Sequence, residues 1–177
     1  HAHGGADWLH GGDGGDSITG DARDMTGDAA GGGDHLFGGN GDDTLRGDAK
    51  TMGDAATGGN DWLDGGRGND VLWGDAESAA ATVRGGNDVL IGGAGQDSFD
   101  FAGHSGRDVV LDFDRDETGD QLVFKDTDAS AVSQSLGAHH DLVVTVAAGA
   151  DFLGSVTLEG VHHLLTGTAA GTDFILA

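Results

Sequence analysis

Aspartate recurs every 27 residues in two registers of the first hundred residues. Each of these aspartates ends a glycine-rich turn and stands two residues before an apolar side chain. One register comprises Asp16, Asp43, Asp70 and Asp97, and the other comprises Asp7, Asp34, Asp61 and Asp88. Stacked at this period, the carboxylates would form columns of oxygen ligands, which are the donors that calcium takes. Magnesium requires a tighter octahedral arrangement and keeps its waters, so calcium is the preferred ion.

The same repeat contains too little apolar surface to fold by hydrophobic burial alone. Neighbouring parallel strands lie about 4.8 Å apart, and two carboxylates at that distance repel by roughly 1 kcal/mol in water and by a few kcal/mol near a protein surface. Burial of one leucine contributes only about 2 kcal/mol. Each repeat offers two constant apolar positions, one in the column Ile18, Leu45, Leu72 and Phe99, the other in the column Leu9, Leu36, Leu63 and Leu90. Bound cations are therefore expected to offset the repulsion.

Charge and composition exclude several classes of partner. The net charge is -23, from 31 acidic and 8 basic side chains, so neither nucleic acid nor an anionic membrane surface is expected to bind. The chain contains no cysteine, which excludes disulfides and thiol ligands. No apolar stretch is long enough for a transmembrane segment.

The chain divides into two unlike parts at residue 100. Residues 1–100 hold 27 of the 36 glycines but only 13 of the 37 Leu, Ile, Val and Phe residues. Units of 27 residues occupy 11–37, 38–64 and 65–91, which predicts an all-β fold in which short parallel strands and turns stack as a β-roll. Met25 and Met52 lie in the longer turn of the unit, where Ala79 replaces them in the third unit, so this segment is predicted to be a loop.

Residues 101–177 are predicted to form a β-rich cap that covers the last edge of the roll. The segments RDVVLDFDRDETGDQLVF, DLVVTV and SVTLEGV have strand patterns. Within the first of them, Asp112, Asp114 and Asp116 alternate, which suits either a calcium loop or a solvated acidic turn.

The nonapeptides GGDGGDSIT, GGNGDDTLR, GGRGNDVLW and GGAGQDSFD all match GGxGxDxUx, in which U is apolar. On these motifs residues 1–100 resemble the RTX, or hemolysin-type, calcium-binding repeats, and the resemblance implies a parallel β-roll with ions between adjacent turns. It implies carboxylate ligands at Asp16, Asp43, Asp70 and Asp97, and equivalents at Asp7, Asp34, Asp61 and Asp88 in the longer turns. It implies carbonyl ligands at Gly12, Gly14, Gly39, Gly41, Gly66, Gly68, Gly93 and Gly95. Three intervals on each side of the roll give roughly six ions. The role of Asp21, Asp48 and Asp75 stays open.

The resemblance also implies a location and a role. Residues 101–177 are similar to the segment that closes such rolls in secreted serralysin-like proteases and lipases, and the ending TDFILA resembles the terminus that type I secretion machinery recognises. The expected protein is secreted, folds on extracellular calcium and stabilises or caps a larger protein without catalysis of its own. One alternative is a matrix, adhesin or filament protein whose roll ends assemble with one another. Another is the C-terminal part of a secreted protease, lipase or polysaccharide-modifying enzyme.

Other candidate sites are weaker. Neither HExxH nor GxSxG occurs in the sequence. The adjacent pairs His139–His140 and His162–His163 would point to opposite faces of a strand, which disfavours a shared metal. Trp8, His35, Trp62 and Val89 share one outward column, which predicts a stacked ladder or, as the less favoured reading, a sugar-binding strip.

Overall fold

The computed structural model describes residues 3–53, 55–114, 119–125, 132–137, 139, 141–148, 151–162 and 174–176. These residues form seventeen β-strands. No helix among them is long and apolar enough to cross a membrane.

The repeats wind into a parallel solenoid whose coils contribute strands to three sheets, four strands each to the first two sheets and three to the third. The first strands of the coils are β1 (Trp8–Asp13), β4 (His35–Asn40), β7 (Trp62–Arg67) and β10 (Val89–Ala94). The second strands are β2 (Ser17–Thr19), β5 (Thr44–Arg46), β8 (Val71–Trp73) and β11 (Ser98–Ala102). The third strands are β3 (Ala22–Met25), β6 (Ala49–Met52) and β9 (Ala76–Ala79). Within each of these three series, successive strands lie 27 residues apart and pair in parallel, which confirms the predicted parallel β-roll.

The third sheet overturns one prediction. The segment of Met25 and Met52 was expected to be a loop, yet Met25 pairs with Met52, and Met52 pairs with Ala79. Both methionines are buried in a second small core made otherwise of alanines and Val83. Because alanine carries little hydrophobic signal and the ladder is made by the backbone, replacing methionine by Ala79 does not end the sheet.

A longer core runs along the inside of the first two sheets. The predicted leucine columns lie inside it, and Leu36, Leu63 and Leu90 are fully buried. The same cluster continues into the C-terminal part of the chain through Val110 and Leu122.

Six strands follow the repeats. They are β12 (Gly106–Val110), β13 (Gln121–Lys125), β14 (Val132–Leu136), β15 (Leu142–Ala148), β16 (Asp151–Leu158) and β17 (Phe174–Leu176). The three segments predicted to contain strands therefore do so. Strand β12 pairs in parallel with β10, and β13 pairs in parallel with β11, so the C-terminal edges of the first two sheets are covered, whereas β9 ends the third sheet within the described residues. Strand β11 spans residue 100 and pairs with β8 on one side and with β13 on the other. A domain boundary at residue 100 stays a prediction.

The outward column on the first sheet is a stacked ladder. The Trp8 and His35 rings lie 4.3 Å apart, and the His35 and Trp62 rings lie 6.4 Å apart. Phe37 adds a second stack with His10 at 4.7 Å. The stacked ladder that the sequence predicted is therefore present on this face of the roll.

Replacement of Met52 by alanine tests whether the third sheet is part of the folded core. Met52→Ala should lower the free energy of unfolding by about 2–5 kcal/mol, because it removes a buried side chain from a small cluster. Thr51→Ala is the matched control, since Thr51 is exposed on the same strand. Urea unfolding followed by circular dichroism at a fixed calcium concentration measures both variants. Equal effects of the two substitutions would contradict a packed third sheet.

Candidate metal centres

Main-chain hydrogen bonds stack the aspartates of the compact turns. The N–H of each aspartate donates to Oδ1 of the aspartate one coil later, from Asp43 to Asp70 and from Asp70 to Asp97 at 2.8 Å. Asp16 donates to Asp43 in the same way at 2.7 Å. The period of the repeat therefore fixes the spacing of the carboxylates, because each carboxylate is bound to the backbone of its neighbour.

The second oxygen of each carboxylate in this column has no hydrogen-bond partner. The buried and unpartnered atoms are Oδ2 of Asp16, Asp43, Asp70 and Asp97. They face the first glycine of the nonapeptide. A methyl group built on Gly11 would lie 2.6 Å from both Asp16 Oδ2 and the Gly38 carbonyl oxygen. The next coils repeat this arrangement, with the Gly65 carbonyl beside Asp43 and the Gly92 carbonyl beside Asp70.

The eight glycines predicted to supply carbonyls all adopt left-handed backbone conformations. Their φ angles lie between 99° and 150°, a range that side chains disfavour. The carbonyls that approach the aspartates belong to the glycine one position earlier, such as Gly38 and Gly65. The positive φ angles thus shape the turn, and a ligand role for the eight glycines themselves stays a prediction.

A second column occupies the longer turns. The N–H of Asp34 donates to Asp61 Oδ1 at 2.8 Å, and that of Asp61 donates to Asp88 Oδ1 at 2.9 Å. Asp7 opens the column by donating to Asp34 at 2.7 Å. The Oδ2 atoms of Asp34, Asp61 and Asp88 are buried and have no hydrogen-bond partner. Asp34 Oδ2 and the Gly47 carbonyl oxygen both lie against Gly20, where a Cβ would collide with each of them.

A third column consists of the aspartates to which the sequence assigned no role, Asp21, Asp48 and Asp75. Each accepts an N–H from the backbone eleven residues later, with the donors Gly32, Gly59 and Gly86 at 2.9, 2.7 and 2.6 Å. This bond connects the start of the longer turn to its GG segment. The third column therefore lies on the same side of the roll as Asp34, Asp61 and Asp88.

The cap supplies the last member of two columns. Asp88 donates to Asp108 Oδ1, and Asp97 donates to Asp120 Oδ1, both at 3.0 Å. The sequence analysis missed both residues because they follow at intervals of 20 and 23 residues instead of 27. A detectable signal existed, since Asp108 precedes Val110 by two positions and Asp120 precedes Leu122 by two, as in the repeats.

The acidic segment after β12 binds the last compact turn. Asp112 accepts the N–H groups of Gly92 and Gly93 at 3.0 and 2.8 Å. Asp114 donates its N–H to Asp120 Oδ2 at 2.8 Å. Asp116 lies outside the described residues, as do His140 and His163 of the histidine pairs.

Burial and mutual repulsion raise the pKa of the stacked carboxyls. Burial raises the pKa of Asp61 to about 8, and the charge of Asp48 adds to the rise. Burial likewise raises the pKa of Asp48 to about 7, with contributions from Asp21 and Asp34. In the compact turns burial raises the pKa values of Asp70 and Asp97 to about 6. The fold thus concentrates negative charge that only a cation or a proton can relieve.

These oxygens are the donor set that calcium requires. Calcium takes carboxylate and backbone carbonyl oxygens in a flexible geometry. Both occur together at the three intervals between compact turns and beside Asp34 and Asp61 in the longer turns. Within the described ranges, no three His, Cys, Asp or Glu side chains form a metal-binding group by themselves. Each candidate centre instead combines carboxylates with main-chain carbonyls.

Comparison with known proteins agrees with this geometry. The sequence profile of the RTX calcium-binding nonapeptide repeat matches four times, at residues 1–22, 28–49, 55–77 and 83–110, which is more than half of the chain. The protein belongs to the RTX calcium-binding repeat family. It is similar to the solution structure of the AlgE6R3 subunit of the Azotobacter vinelandii mannuronan C5-epimerase, with 26% identity over 86% of this chain and 74% of that chain, at a TM-score of 0.34. No curated protein sequence matches the chain.

The raised pKa values predict how the calcium-free chain responds to pH. A carboxyl whose pKa is higher in the folded than in the unfolded state stabilises the fold at low pH, and that stability is lost as pH rises through the folded value. For Asp70, Asp48 and Asp61, whose pKa values are about 6, 7 and 8, this loss of folding stability should extend from about pH 4 to about pH 8. In calcium-free buffer, circular dichroism should show more β structure at about pH 5 than at about pH 8. A spectrum that is constant over this range, or that loses β structure on acidification, would contradict the electrostatic account.

Filling one glycine site with a methyl group tests the cradles themselves. Gly38→Ala would place its Cβ against Asp43 Oδ2 and 2.5 Å from the Gly65 carbonyl. The calcium concentration at half-folding should rise at least about tenfold, and the number of bound ions should fall by about one. Gly53→Ala is the matched control, since its Cβ would meet nothing closer than 3.8 Å. Calorimetric titration of both variants measures these quantities, and similar results for the two would refute the cradle.

Proposed function

We propose that this chain is a non-catalytic calcium-binding module that folds on extracellular calcium and stabilises a larger secreted protein. The observation that carries the proposal is the set of buried aspartate oxygens without hydrogen-bond partners, repeated at every coil. A folded protein rarely leaves such oxygens unsatisfied, because each buried unpaired charge is costly. Their regular recurrence along the roll points to a ligand that binds at every interval.

The proposed ligands follow from the contacts. In the compact turns, Oδ2 of Asp16, Asp43, Asp70 and Asp97 would bind together with glycine carbonyls of the adjacent coil. In the longer turns, Asp34, Asp61 and Asp88 would do the same, and Asp7 would complete the first coil. Calcium bound there supplies the positive charge that the columns lack. Three intervals on each side give roughly six ions, which would neutralise about 12 of the 23 negative charges.

Folding and binding would be coupled in this chain. Stacking brings the carboxylates of consecutive coils close enough to raise one another's pKa, so the chain is expected to resist stacking at low calcium. Extracellular calcium modules bind in roughly the 10⁻⁴ to 10⁻³ M range, which keeps such a chain unfolded in a cytosol of low calcium. An unfolded chain suits export, and the ending TDFILA supports a type I secretion route.

Assembly through the roll end is a second candidate. Strands β1, β2 and β3 each stand at the end of their sheet in the described structure, and Trp8 beside them is 67% exposed. Such edges can pair with a further coil or with a second copy of the chain. Sedimentation at several protein concentrations in calcium would favour this candidate if the mass rises with concentration.

Removal of calcium provides the direct test of coupled folding. Far-ultraviolet circular dichroism should show a largely disordered chain in chelator at neutral pH and cooperative formation of β structure on addition of millimolar calcium. Magnesium at the same concentration is the control, and it should induce far less structure because it holds its waters. Identical spectra in chelator and in calcium would refute the proposed function.

A further inference from the structure

The longer turns hold two columns of carboxylates, whereas the compact turns hold one. The second column, Asp21, Asp48 and Asp75, lies outside the nonapeptide pattern and opens the GDA segment of each unit. Its members adjoin the column of Asp34, Asp61 and Asp88, because the glycines whose N–H groups they accept each stand two residues before an aspartate of that column; these glycines are Gly32, Gly59 and Gly86.

The carboxylate of Asp48 is buried and incompletely satisfied. Its side chain is 0% exposed, and Oδ1 accepts the Gly59 N–H at 2.7 Å while Oδ2 has no partner. In Asp21 the same division occurs, since Oδ2 accepts the Gly32 N–H and the buried Oδ1 is unpartnered. One hydrogen bond to a neutral amide does not compensate a buried carboxylate, so a further partner is required.

Carboxylates of consecutive coils converge on glycines in this column. A methyl group on Gly58 would collide with Asp48 Oδ2 and lie 2.5 Å from Asp75 Oδ1. On Gly31 it would collide with Asp48 Oδ1 and lie 2.8 Å from Asp21 Oδ2. Because these positions are glycines, no side chain fills the space between the carboxylates. In the compact turns the equivalent space lies between a carboxylate and a carbonyl, whereas here it lies between two carboxylates.

We propose that Asp21, Asp48 and Asp75 are additional ligands of the cations in the longer turns, and that this side of the roll binds calcium more tightly than the compact side. The inference rests on the proposed function, because it assigns ligands to ions whose binding that function requires. A greater number of charged ligands raises calcium affinity, so the two sides should behave as two classes of site. The longer turns would then fill first and hold the roll together at calcium concentrations that leave the compact turns empty.

A purely structural role for Asp48 makes a different prediction. If the side chain served only to accept the Gly59 N–H, asparagine would replace it without loss, because its carbonyl oxygen accepts the same bond. Asp48→Asn therefore removes the charge and preserves the hydrogen bond. Asp70→Asn makes the same change in the compact column, and Asp24→Asn makes it at an exposed position on β3.

Calorimetric calcium titration of the full chain, supported by terbium luminescence, distinguishes these roles. The unchanged protein should show two classes of site. Asp48→Asn should weaken the tighter class at least about tenfold, Asp70→Asn should weaken mainly the other class, and Asp24→Asn should change neither. The inference is wrong if Asp48→Asn binds calcium as Asp24→Asn does, or if it affects only the weaker class.

Two further measurements keep the test decisive. If Asp48→Asn does not fold at any calcium concentration, the same substitution at the first coil, Asp21→Asn, tests whether this column binds calcium. It should lose about one tightly bound ion while the rest of the roll folds, and an unchanged ion count would overturn the inference. Failure of the unchanged protein to bind calcium would instead overturn the proposed function itself.

Discussion

One hydrogen bond determines most of this structure. In the columns that begin at Asp7 and Asp16, the main-chain N–H of each aspartate donates to Oδ1 of its counterpart in the next coil. It ties the carboxylates to the strand ladder, so their separation follows the separation of parallel strands. It also occupies one oxygen of each carboxylate and leaves the other facing the glycine backbone without a partner. The repulsion within each column is therefore a consequence of the ladder, and a cation or a proton is required to relieve it.

The remaining features follow from this arrangement. Glycine is required where a Cβ would enter the space between carboxylate and carbonyl, as at Gly38 and Gly65. The apolar columns are narrow because each coil presents only a few inward positions, and the small core of Met25 and Met52 adds a third. Burial alone is thus a modest contribution per coil, so we expect the coils to depend on one another and on the ions proposed between them.

The sequence predicted those parts of the structure that repeat at a constant interval. The leucine columns and both nonapeptide aspartate columns follow a period of 27, and they occupy the positions expected of a parallel roll. The third strand escaped prediction because alanines dominate its inward positions and give little periodic signal. Asp108 and Asp120 escaped because the cap breaks the period while continuing the coil, which only tertiary pairing could reveal. The role of Asp48 could not be predicted, because its contact with the Gly59 N–H depends on the path of the longer turn.

The aspartate hydrogen bonds also give the roll a direction. In the columns that begin at Asp7 and Asp16, the N–H belongs to the earlier coil and the accepting carboxylate belongs to the later one. The last repeat therefore depends on Asp108 and Asp120, which β12 and β13 hold in place by packing Val110 and Leu122 into the continuous core. The cap contains 24 of the 37 Leu, Ile, Val and Phe residues, so we expect it to order more readily than the repeats. In a stack that grows by nearest-neighbour contacts, an end that presents fixed acceptors would act as the template, and we therefore expect folding to start at the C-terminal end.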